Sequence, residues 1–238
     1  MKFAAIGDIH SNLYALESVL ADIAKKDVDF IICTGDSLGY SPFPNEVLHL
    51  LRKNHVLSIQ GNYEKAVGNF EMICGCDYKE PRLIELAALS MEFTNKHISD
   101  ENRNYIKNLP KHIRLHSEAF DILVVHGSPR RINEPLYEGS GELKEVLENM
   151  NENVLVCGHT HEAFYQQING KHVINCGTVG KPVNGSIDAT YTLIDIIGST
   201  ISVQLERISY DVEKAAKAIE ENDELPDDFA QMLRQGTL

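Results

Sequence analysis

An apolar run turns polar within three residues in Lys2-Phe3-Ala4-Ala5-Ile6-Gly7-Asp8-Ile9-His10. Its apolar part predicts a buried strand, because short continuous apolar runs are typical of strands covered on both faces. Helix-period and strand-like patterns then alternate, which indicates a largely parallel sheet. The predicted strands are residues 2–6, 30–33 and 55–59, and the helices between them are residues 12–26 and 44–53.

The second half of the chain is richer in strands. Asn169-Gly170 and Gly198-Ser199 each separate two apolar runs, and such pairs favour β-hairpins. Further strands are predicted at residues 113–116, 122–125, 154–156, 163–167, 172–175, 190–196 and 201–206. Further helices are predicted at residues 80–96, 101–108, 142–149 and 210–221, with a short one after residue 228. Two sheets packed face to face and flanked by helices accommodate this pattern.

Five of the predicted strands end in a small polar cluster. In an open α/β sheet, ligands gather beyond the carboxyl ends of strands, so residues far apart in sequence can meet there. The clusters are Gly7-Asp8-Ile9-His10, Thr34-Gly35-Asp36, Gln60-Gly61-Asn62, His126-Gly127 and Gly158-His159-Thr160-His161. They combine carboxylate, amide and imidazole groups, and that mixture suits Mn²⁺, Fe²⁺/³⁺ or Zn²⁺.

Taken singly, most of these motifs are weak evidence. Gly35-Asp36 and Gly61-Asn62 are common turn dipeptides, and His126 alone fits a packed histidine. Gly158-His159-Thr160-His161 is more specific, because two histidines flank a single residue at a strand end. All five clusters in this order, each at a strand end, predict a metal site.

This set resembles the calcineurin-like metallophosphoesterase superfamily, of the small bacterial or archaeal phosphoesterase type. The family pattern is Asp-x-His, Gly-Asp, Gly-Asn-His-Asp/Glu, a single His and Gly-His-x-His. The likeness continues at residues 175–182, Asn-Cys-Gly-Thr-Val-Gly-Lys-Pro, and thus spans about three quarters of the chain. The resemblance implies an α/β fold, a four-layer α/β/β/α sandwich of two mixed sheets flanked by helices.

The same resemblance implies two divalent metal ions, Mn²⁺ or iron, with Zn²⁺ or Ni²⁺ as alternatives. Asp36 would bridge the ions, and the bridging hydroxide would be the nucleophile that attacks phosphorus. The ligands of one ion would be Asp8, His10, Asp36 and His161. The ligands of the other would be Asp36, Asn62, His126 and His159.

The sequence departs from the family pattern at Tyr63, where relatives carry a histidine that contacts the scissile phosphate. Tyr63 could donate a hydrogen bond to a phosphoryl oxygen. With an ordinary pKa of about 10, however, it is a poor proton donor at neutral pH. Either the enzyme favours esters with good leaving groups, or the protein binds metals with little turnover.

Outside the motif residues, Arg130 and Arg131 are the cationic candidates for binding a substrate phosphate, because a guanidinium matches phosphate geometry. A solvated loop is the alternative for both. Tyr40 either lines the pocket or packs against its loop. The predicted catalytic residues are Asp36, Asn62, Tyr63 and Arg130. The segment over residues 70–109 lies outside the motif set and is expected to shape specificity.

The five cysteines are scattered and odd in number, which argues against the disulfide framework of a secreted protein. Cys74-Gly75-Cys76 has poor zinc spacing without a second such pair. Cys33 and Cys157 lie within strand patterns and are expected to pack in the core. We therefore predict a cytoplasmic protein.

Length and charge limit the partners. The 238 residues, 43% hydrophobic, are expected to form a single domain over residues 1–238, with residues 210–238 as a C-terminal helical extension. A net charge of −13 disfavours long nucleic acids, which bind through many cations, and no apolar run approaches a membrane span. A small phosphorylated substrate is the expected partner, and the oligomeric state is left open.

The predicted function is a dinuclear-metal phosphoesterase that hydrolyses a small phosphodiester or phosphomonoester such as a nucleotide. One alternative is a catalytically weak scaffold or sensor protein with the same fold. A second alternative is a nuclease.

Overall fold

The computed structural model describes residues 1–76, 78–117 and 119–237, and among them it contains ten strands and eight helices. The strands are β1 (Lys2–Ile6), β2 (Phe30–Cys33), β3 (Leu57–Ser58), β4 (Ile113–His116), β5 (Asp121–Val124), β6 (Val154–Cys157), β7 (Phe164–Ile168), β8 (Lys171–Asn175), β9 (Ala189–Ile197) and β10 (Thr200–Ile208). The helices are α1 (Leu13–Ile23), α2 (Pro44–Lys53), α3 (Asn62–Gly68), α4 (Pro81–His97), α5 (Asp100–Lys107), α6 (Gly141–Asn149), α7 (Val212–Glu220) and α8 (Asp227–Gln235).

The strands form two mixed sheets. The first sheet has the order β10-β9-β1-β2-β3. In it β1, β2 and β3 are parallel to one another, β9 pairs antiparallel with β1, and β10 pairs antiparallel with β9. The second has the order β4-β5-β6-β8-β7, in which β5, β6 and β8 are parallel and the edge strands antiparallel. The parallel strands of each sheet bring several carboxyl ends to one edge.

Three hydrophobic clusters define the layers. Phe3, Ile32 and Val156 belong to the cluster between the two sheets. Leu16 and Val47, from α1 and α2, cover the outer face of the first sheet. Residues of α6 cover the outer face of the second sheet. Helix, sheet, sheet and helix therefore stack in four layers, as the sequence resemblance implies.

Both predicted hairpins are present. Asn169 and Gly170 have φ values of 52° and 80° and join β7 to β8, where Ile168 pairs with Lys171. Two residues with positive φ are what a type I′ turn requires, and this turn matches the twist of the flanking strands. Residues 198–199 join β9 to β10 in the same two-residue way.

The structure differs from the sequence predictions around β3. The predicted strand over residues 55–59 is reduced to Leu57–Ser58, because His55 has a φ of 53° and the Val56 amide donates to the Leu51 carbonyl at 3.0 Å. These two residues thus close α2. The sequence predicts no helix between residues 59 and 80, yet α3 begins at Asn62.

A fourth cluster contains the C-terminal helices. Ala216 of α7 and Phe229 of α8 pack with Tyr40 and with residues of α3 and α4. The division into one domain with a C-terminal extension stays a prediction. Within the described ranges, no helix combines the length and apolarity needed to cross a bilayer.

Candidate metal centre

All seven predicted metal ligands lie just after strands, and the two sheets contribute to both halves of the site. Asp8 and His10 follow β1, Asp36 follows β2, Asn62 follows β3, His126 follows β5, and His159 and His161 follow β6. Their ligand atoms form two groups, Asp8 with His10 and His161, and Asp36 with His126 and His159. Within each group these atoms lie within 4.8 Å of one another.

Five of these ligands have left-handed backbone, with φ values of 49° for Asp8, 49° for His10, 51° for Asp36, 69° for His159 and 63° for His161. Non-glycine residues are uncommon in this region and cost about 1–3 kcal/mol each unless their surroundings hold them there. Here hydrogen bonds between the loops that follow β1 and β2 hold this backbone conformation. The amide of Asp8 donates to the Gly35 carbonyl at 3.0 Å, and that of His10 to the Asp36 carbonyl at 3.1 Å.

Two glycines allow the backbone to approach the carboxylates closely. A Cβ at Gly61 would lie 2.1 Å from Asp36 Oδ1, and one at Gly158 would lie 2.6 Å from Asp8 Oδ2. Any side chain at either position would therefore displace a predicted ligand. This explains the glycines in two of the motifs.

In the first group, two histidine lone pairs face each other. His10 Nδ1 lies 2.9 Å from the Leu38 carbonyl and His161 Nδ1 lies 2.8 Å from the Lys181 carbonyl. A carbonyl only accepts hydrogen bonds, so each Nδ1 is the donor and each Nε2 carries the lone pair in the neutral ring. Burial lowers the pKa of His10 well below its usual range, which keeps its ring neutral. The two Nε2 atoms are nonetheless only 3.2 Å apart.

Asp8 completes this first group with an oxygen that lacks a hydrogen bond. Its Oδ2 accepts from the His159 amide at 2.9 Å, whereas its buried Oδ1 accepts no hydrogen bond and lies 3.4 Å from His161 Nε2. An unsatisfied buried carboxylate oxygen is costly. A cation among Asp8 Oδ1 and the two facing imidazole nitrogens would satisfy all three, so this group fits a metal ion.

The second group is organised around His126. His126 Nδ1 donates to the Thr34 carbonyl at 3.0 Å, and its Nε2 lies 2.9 Å from Asn62 Oδ1 and 3.5 Å from Asp36 Oδ2. Burial opposes the charged form of His126, but the Asp36 carboxylate outweighs it and raises the pKa to about 9. Burial and the charge on His126 lower the pKa of His159 to about 4. A proton and a metal ion would thus compete for His126 Nε2.

The donor atoms agree with the predicted metals, since carboxylate, amide oxygen and imidazole suit hard to borderline ions. The two groups correspond to the two predicted ligand sets, with Asn62 Oδ1 beside the second group. The bridging position of Asp36 stays a prediction, as does the identity of the ions.

Sequence reasoning assigned no role to Glu64, which holds the second group in place. Its fully buried carboxylate accepts from the amides of Asp36 at 2.8 Å, Ser37 at 2.7 Å and Gly61 at 2.8 Å. Burial and the nearby Asp36 charge raise the pKa of Glu64 to about 7. The available signal was a Glu three residues after Gly61, since that spacing is half of a capping box at a helix start.

Five of the predicted ligands line a cavity of about 220 Å³ with an aromatic wall, namely His10, Asp36, Asn62, His159 and His161. Tyr40, Tyr63 and Tyr78 form this wall, and the hydroxyls of Tyr40 and Tyr78 lie 3.0 Å apart. Tyr40 is also packed, because it is 6% exposed and its ring contacts Phe229 at a centroid distance of 5.1 Å. Both alternatives considered for Tyr40 are therefore correct.

The Tyr63 side chain is fully buried, and its hydroxyl lies 3.2 Å from Ser90 Oγ on α4. Its ring packs edge-on against His10 with centroids 5.4 Å apart. Burial raises the pKa of Tyr63 above its usual range, so the phenol stays protonated. The orientation therefore gives Tyr63 a packing role, and its predicted contact with a phosphate stays a prediction.

Arg130 and Arg131 do not line the cavity that holds the ligands. Arg130 donates to Glu134 at 2.7 Å and lies 2.9 Å from Glu145, while Arg131 lies 3.5 Å from Glu134. Both arginines line a neighbouring cavity with His126. The Arg130 guanidinium thus already forms ion pairs with two carboxylates. Its catalytic role stays a prediction.

Cys74 and Cys76 form a disulfide, which the cysteine pattern did not predict. Cys76 lines the ligand cavity, and its sulfur lies 3.7 Å from the Asn62 amide nitrogen. Cys33, Cys157 and Cys176 are buried free thiols, as expected for the first two. Part of the segment over residues 70–109 therefore borders the site.

Comparison with known sequences points to one family. The sequence profile of the calcineurin-like phosphoesterase superfamily domain matches residues 1–198. MJ0912, an uncharacterized protein of Methanocaldococcus jannaschii, is 30% identical over 248 aligned positions, covering 98% of this chain and 97% of that protein.

Solved structures agree. A metallophosphoesterase from Sphaerobacter thermophilus superposes with a TM-score of 0.80 at 26% identity, covering 100% of this chain and 99% of that chain. The hypothetical protein PH1004 from Pyrococcus horikoshii superposes with a TM-score of 0.86, covering 99% and 98% of the two chains. PH1004 is 19% identical to this chain, so its superposition shows a shared fold.

Proposed function

The chain belongs to the calcineurin-like phosphoesterase superfamily, and from that premise we propose that it hydrolyses small phosphate esters with two bound divalent metal ions. The observation that carries the proposal is the pair of imidazole nitrogens, His10 Nε2 and His161 Nε2, that face each other at 3.2 Å beside the unsatisfied Asp8 Oδ1. With both Nδ1 atoms engaged by carbonyls, these three potential ligand atoms lie close enough to bind one cation. A structural histidine pair would instead turn one donor toward the other ring.

The residues would bind the ions as two sets. Asp8, His10 and His161 would hold one ion, and His126, His159 and Asn62 the other, with Asp36 between them. Mn²⁺ or iron is the expected metal. When bound, such ions activate a water molecule and neutralise the phosphoryl oxygens.

Residues outside the ligand sets keep the ligands in position. Glu64 fixes the backbone of Asp36 through two amide hydrogen bonds, and the carbonyls of Leu38 and Lys181 fix the ring orientation of His10 and His161. Such support sets which imidazole nitrogen faces the ion. Rigid ligands reduce the reorganisation needed when charge develops on the phosphoryl group.

The cavity and the absence of a histidine at position 63 limit the substrate. A volume of about 220 Å³ accommodates one phosphate with a small substituent. Because the buried Tyr63 phenol cannot protonate a leaving group, we propose that the preferred esters have good leaving groups, as an aryl phosphodiester or an activated monoester does. The net charge of −13 continues to disfavour a nuclease acting on long chains.

The test is hydrolysis of bis-p-nitrophenyl phosphate and p-nitrophenyl phosphate by metal-stripped protein reloaded with Mn²⁺. Asp36→Asn removes a ligand charge, and Asp223→Asn is the matched control, since Asp223 is exposed and lies outside the site. We expect metal-dependent turnover in the wild type and the control. We expect a loss of at least about 100-fold in Asp36→Asn, a size typical of losing a key electrostatic group.

Metal content separates the remaining outcomes. Two equivalents of Mn²⁺ bound by the wild type, measured by elemental analysis, with no hydrolysis of either ester would reject the enzyme and favour the scaffold or sensor. Equal turnover by wild type and Asp36→Asn would reject the proposed site.

A further inference from the structure

A second cavity, of about 380 Å³, lies on the other side of His126 from the metal-ligand cavity. Gln60 and His126 line it, whereas Asn62 lines the first cavity, so residues 60–62 and His126 separate the two. Leu123 and Val125 of the β5 segment supply an apolar wall. None of the predicted metal ligands other than His126 belongs to this second cavity.

The wall of the second cavity is cationic. Its charged lining side chains, apart from histidines, are Lys65, Lys111, Arg114, Arg130 and Arg131, and within the described part of the chain no Asp or Glu lines it. This is unexpected in a chain that carries 22 Lys and Arg against 35 Asp and Glu. Positive charge concentrated in a concave surface attracts anions.

Neighbouring carboxylates neutralise only part of this charge. Arg130 pairs with Glu134 and Glu145, and Arg114 pairs with Glu152 at 2.8 Å. Five cations against these three carboxylates leave an excess of two positive charges. For residues 1–76, 78–117 and 119–237, the ammonium groups of Lys65 and Lys111 have neither an ion pair nor a hydrogen bond.

The wall that carries these lysines is held in place by buried groups. The Gln60 amide donates to the Pro110 carbonyl at 2.8 Å, which fixes Lys111 beside the start of α3. The Gln60 side chain is 5% exposed and donates to the carbonyls of Ile106 and Lys107 at 3.0 and 3.1 Å. Lys65 extends from α3 itself. Both lysines therefore project from segments whose backbone is fixed, which reduces the cost of ordering a ligand between them.

We propose that this second cavity, lined by Lys65 and Lys111, binds phosphate groups of an anionic ligand next to the metal centre. Two unpaired ammonium groups and the excess of two positive charges match a ligand with two or more negative charges, such as a diphosphate group.

The test is isothermal titration of inorganic pyrophosphate into metal-stripped protein in a chelator-free buffer. Without metals, the first cavity is lined by the Asp36 carboxylate, which repels the anion, so the second cavity is the site that the titration measures. The test variant is Lys65→Ala/Lys111→Ala. The control is Lys53→Ala/Lys144→Ala, which removes the same charge from two exposed lysines outside both cavities.

We expect saturable binding by the wild type and the control, weakening as salt increases. The test variant should bind at least about tenfold more weakly, because each lysine supplies a charge-assisted contact. Equal affinity in both double variants, or no saturable binding by the wild type, would overturn the proposal. Circular dichroism spectra that match among the three proteins exclude misfolding as the cause of a loss. Ester hydrolysis is measured separately, so failure of the proposed function leaves this result interpretable.

Discussion

Replacing Tyr63 by phenylalanine separates the packing role seen in the structure from the phosphate contact predicted from sequence. The change removes one hydroxyl, whose partner Ser90 Oγ still accepts from the Tyr40 amide at 2.8 Å. A neutral hydrogen bond contributes about 0.5–1.5 kcal/mol net, and here no buried partner is left unsatisfied. We therefore expect a loss of about 1 kcal/mol in the free energy of unfolding, or a fall in Tm of about 2–4 °C for a chain of this size.

Turnover should hardly change in Tyr63→Phe. The hydroxyl points to α4, and the ring that packs against His10 is retained. We expect kcat and kcat/KM for bis-p-nitrophenyl phosphate within about twofold of wild type, since no contact made only in the transition state is lost. Tyr191→Phe is the matched control, because Tyr191 is also fully buried and its hydroxyl donates to Asp22 at 2.8 Å, far along the sequence from every predicted ligand.

The assays are urea denaturation followed by circular dichroism and steady-state hydrolysis with Mn²⁺. A fall in kcat of tenfold or more in Tyr63→Phe, with unchanged stability and normal activity of Tyr191→Phe, would refute the packing role. It would show instead that the hydroxyl turns toward the phosphate during the reaction.

Three further measurements check other parts of the structure. Mn²⁺ at about 100 times its Kd should stabilise metal-stripped protein by ~2.7 kcal/mol per site and raise Tm by roughly 5–11 °C; an unchanged Tm in calorimetry would contradict the fit of the site. Thiol titration of denatured, unreduced protein should find three free thiols, and five after reduction, because Cys74 and Cys76 are paired; five before reduction would contradict the pairing. Burial favours the neutral form of Glu134, but the hydrogen bonds from Arg130 and Ser128 outweigh burial and lower the pKa of this carboxyl group. The Glu134 carboxylate therefore stabilises the fold above its unfolded pKa of about 4.3. This stabilisation is lost as the pH falls through the lower, folded pKa. Glu134→Gln should therefore narrow the difference in unfolding free energy between pH 7 and pH 3 in urea titrations, and an unchanged difference would count against the ion pair.

The strands and the ligand clusters could be predicted because both follow from local sequence. Lys2–Ile6, Phe30–Cys33 and Ile113–His116 have the predicted bounds, since each is a short apolar or alternating run with clear polar ends. The convergence of the ligand clusters could be predicted because parallel strands bring their carboxyl ends to one edge, whatever the loops between them do.

What could not be predicted depends on contacts between distant residues. Gly61-Asn62 is a turn dipeptide in isolation, but Glu64 makes it a helix start by accepting from the Gly61 amide while it also holds the Asp36 loop. The orientation of the Tyr63 hydroxyl depends on its hydrogen bond with Ser90, which lies 27 residues away on α4. The neutralisation of Arg130 depends on Glu145 of α6. Sequence spacing specifies none of these side-chain orientations.

The placement of charge favours a metal site, rather than the stability of the fold, as the role of these polar residues. Asp8, Asp36 and Glu64 are 0–2% exposed, and in the described ranges none of the three pairs with a Lys or Arg. Burial of carboxylates is unfavourable even where a histidine partly offsets it, as His126 does at Asp36, and the left-handed backbone at Asp8 and Asp36 adds strain. A core built only for stability would replace these groups by apolar side chains. Bound cations would offset both costs, so under the proposed function metal binding and folding stability would be coupled through the same carboxylates.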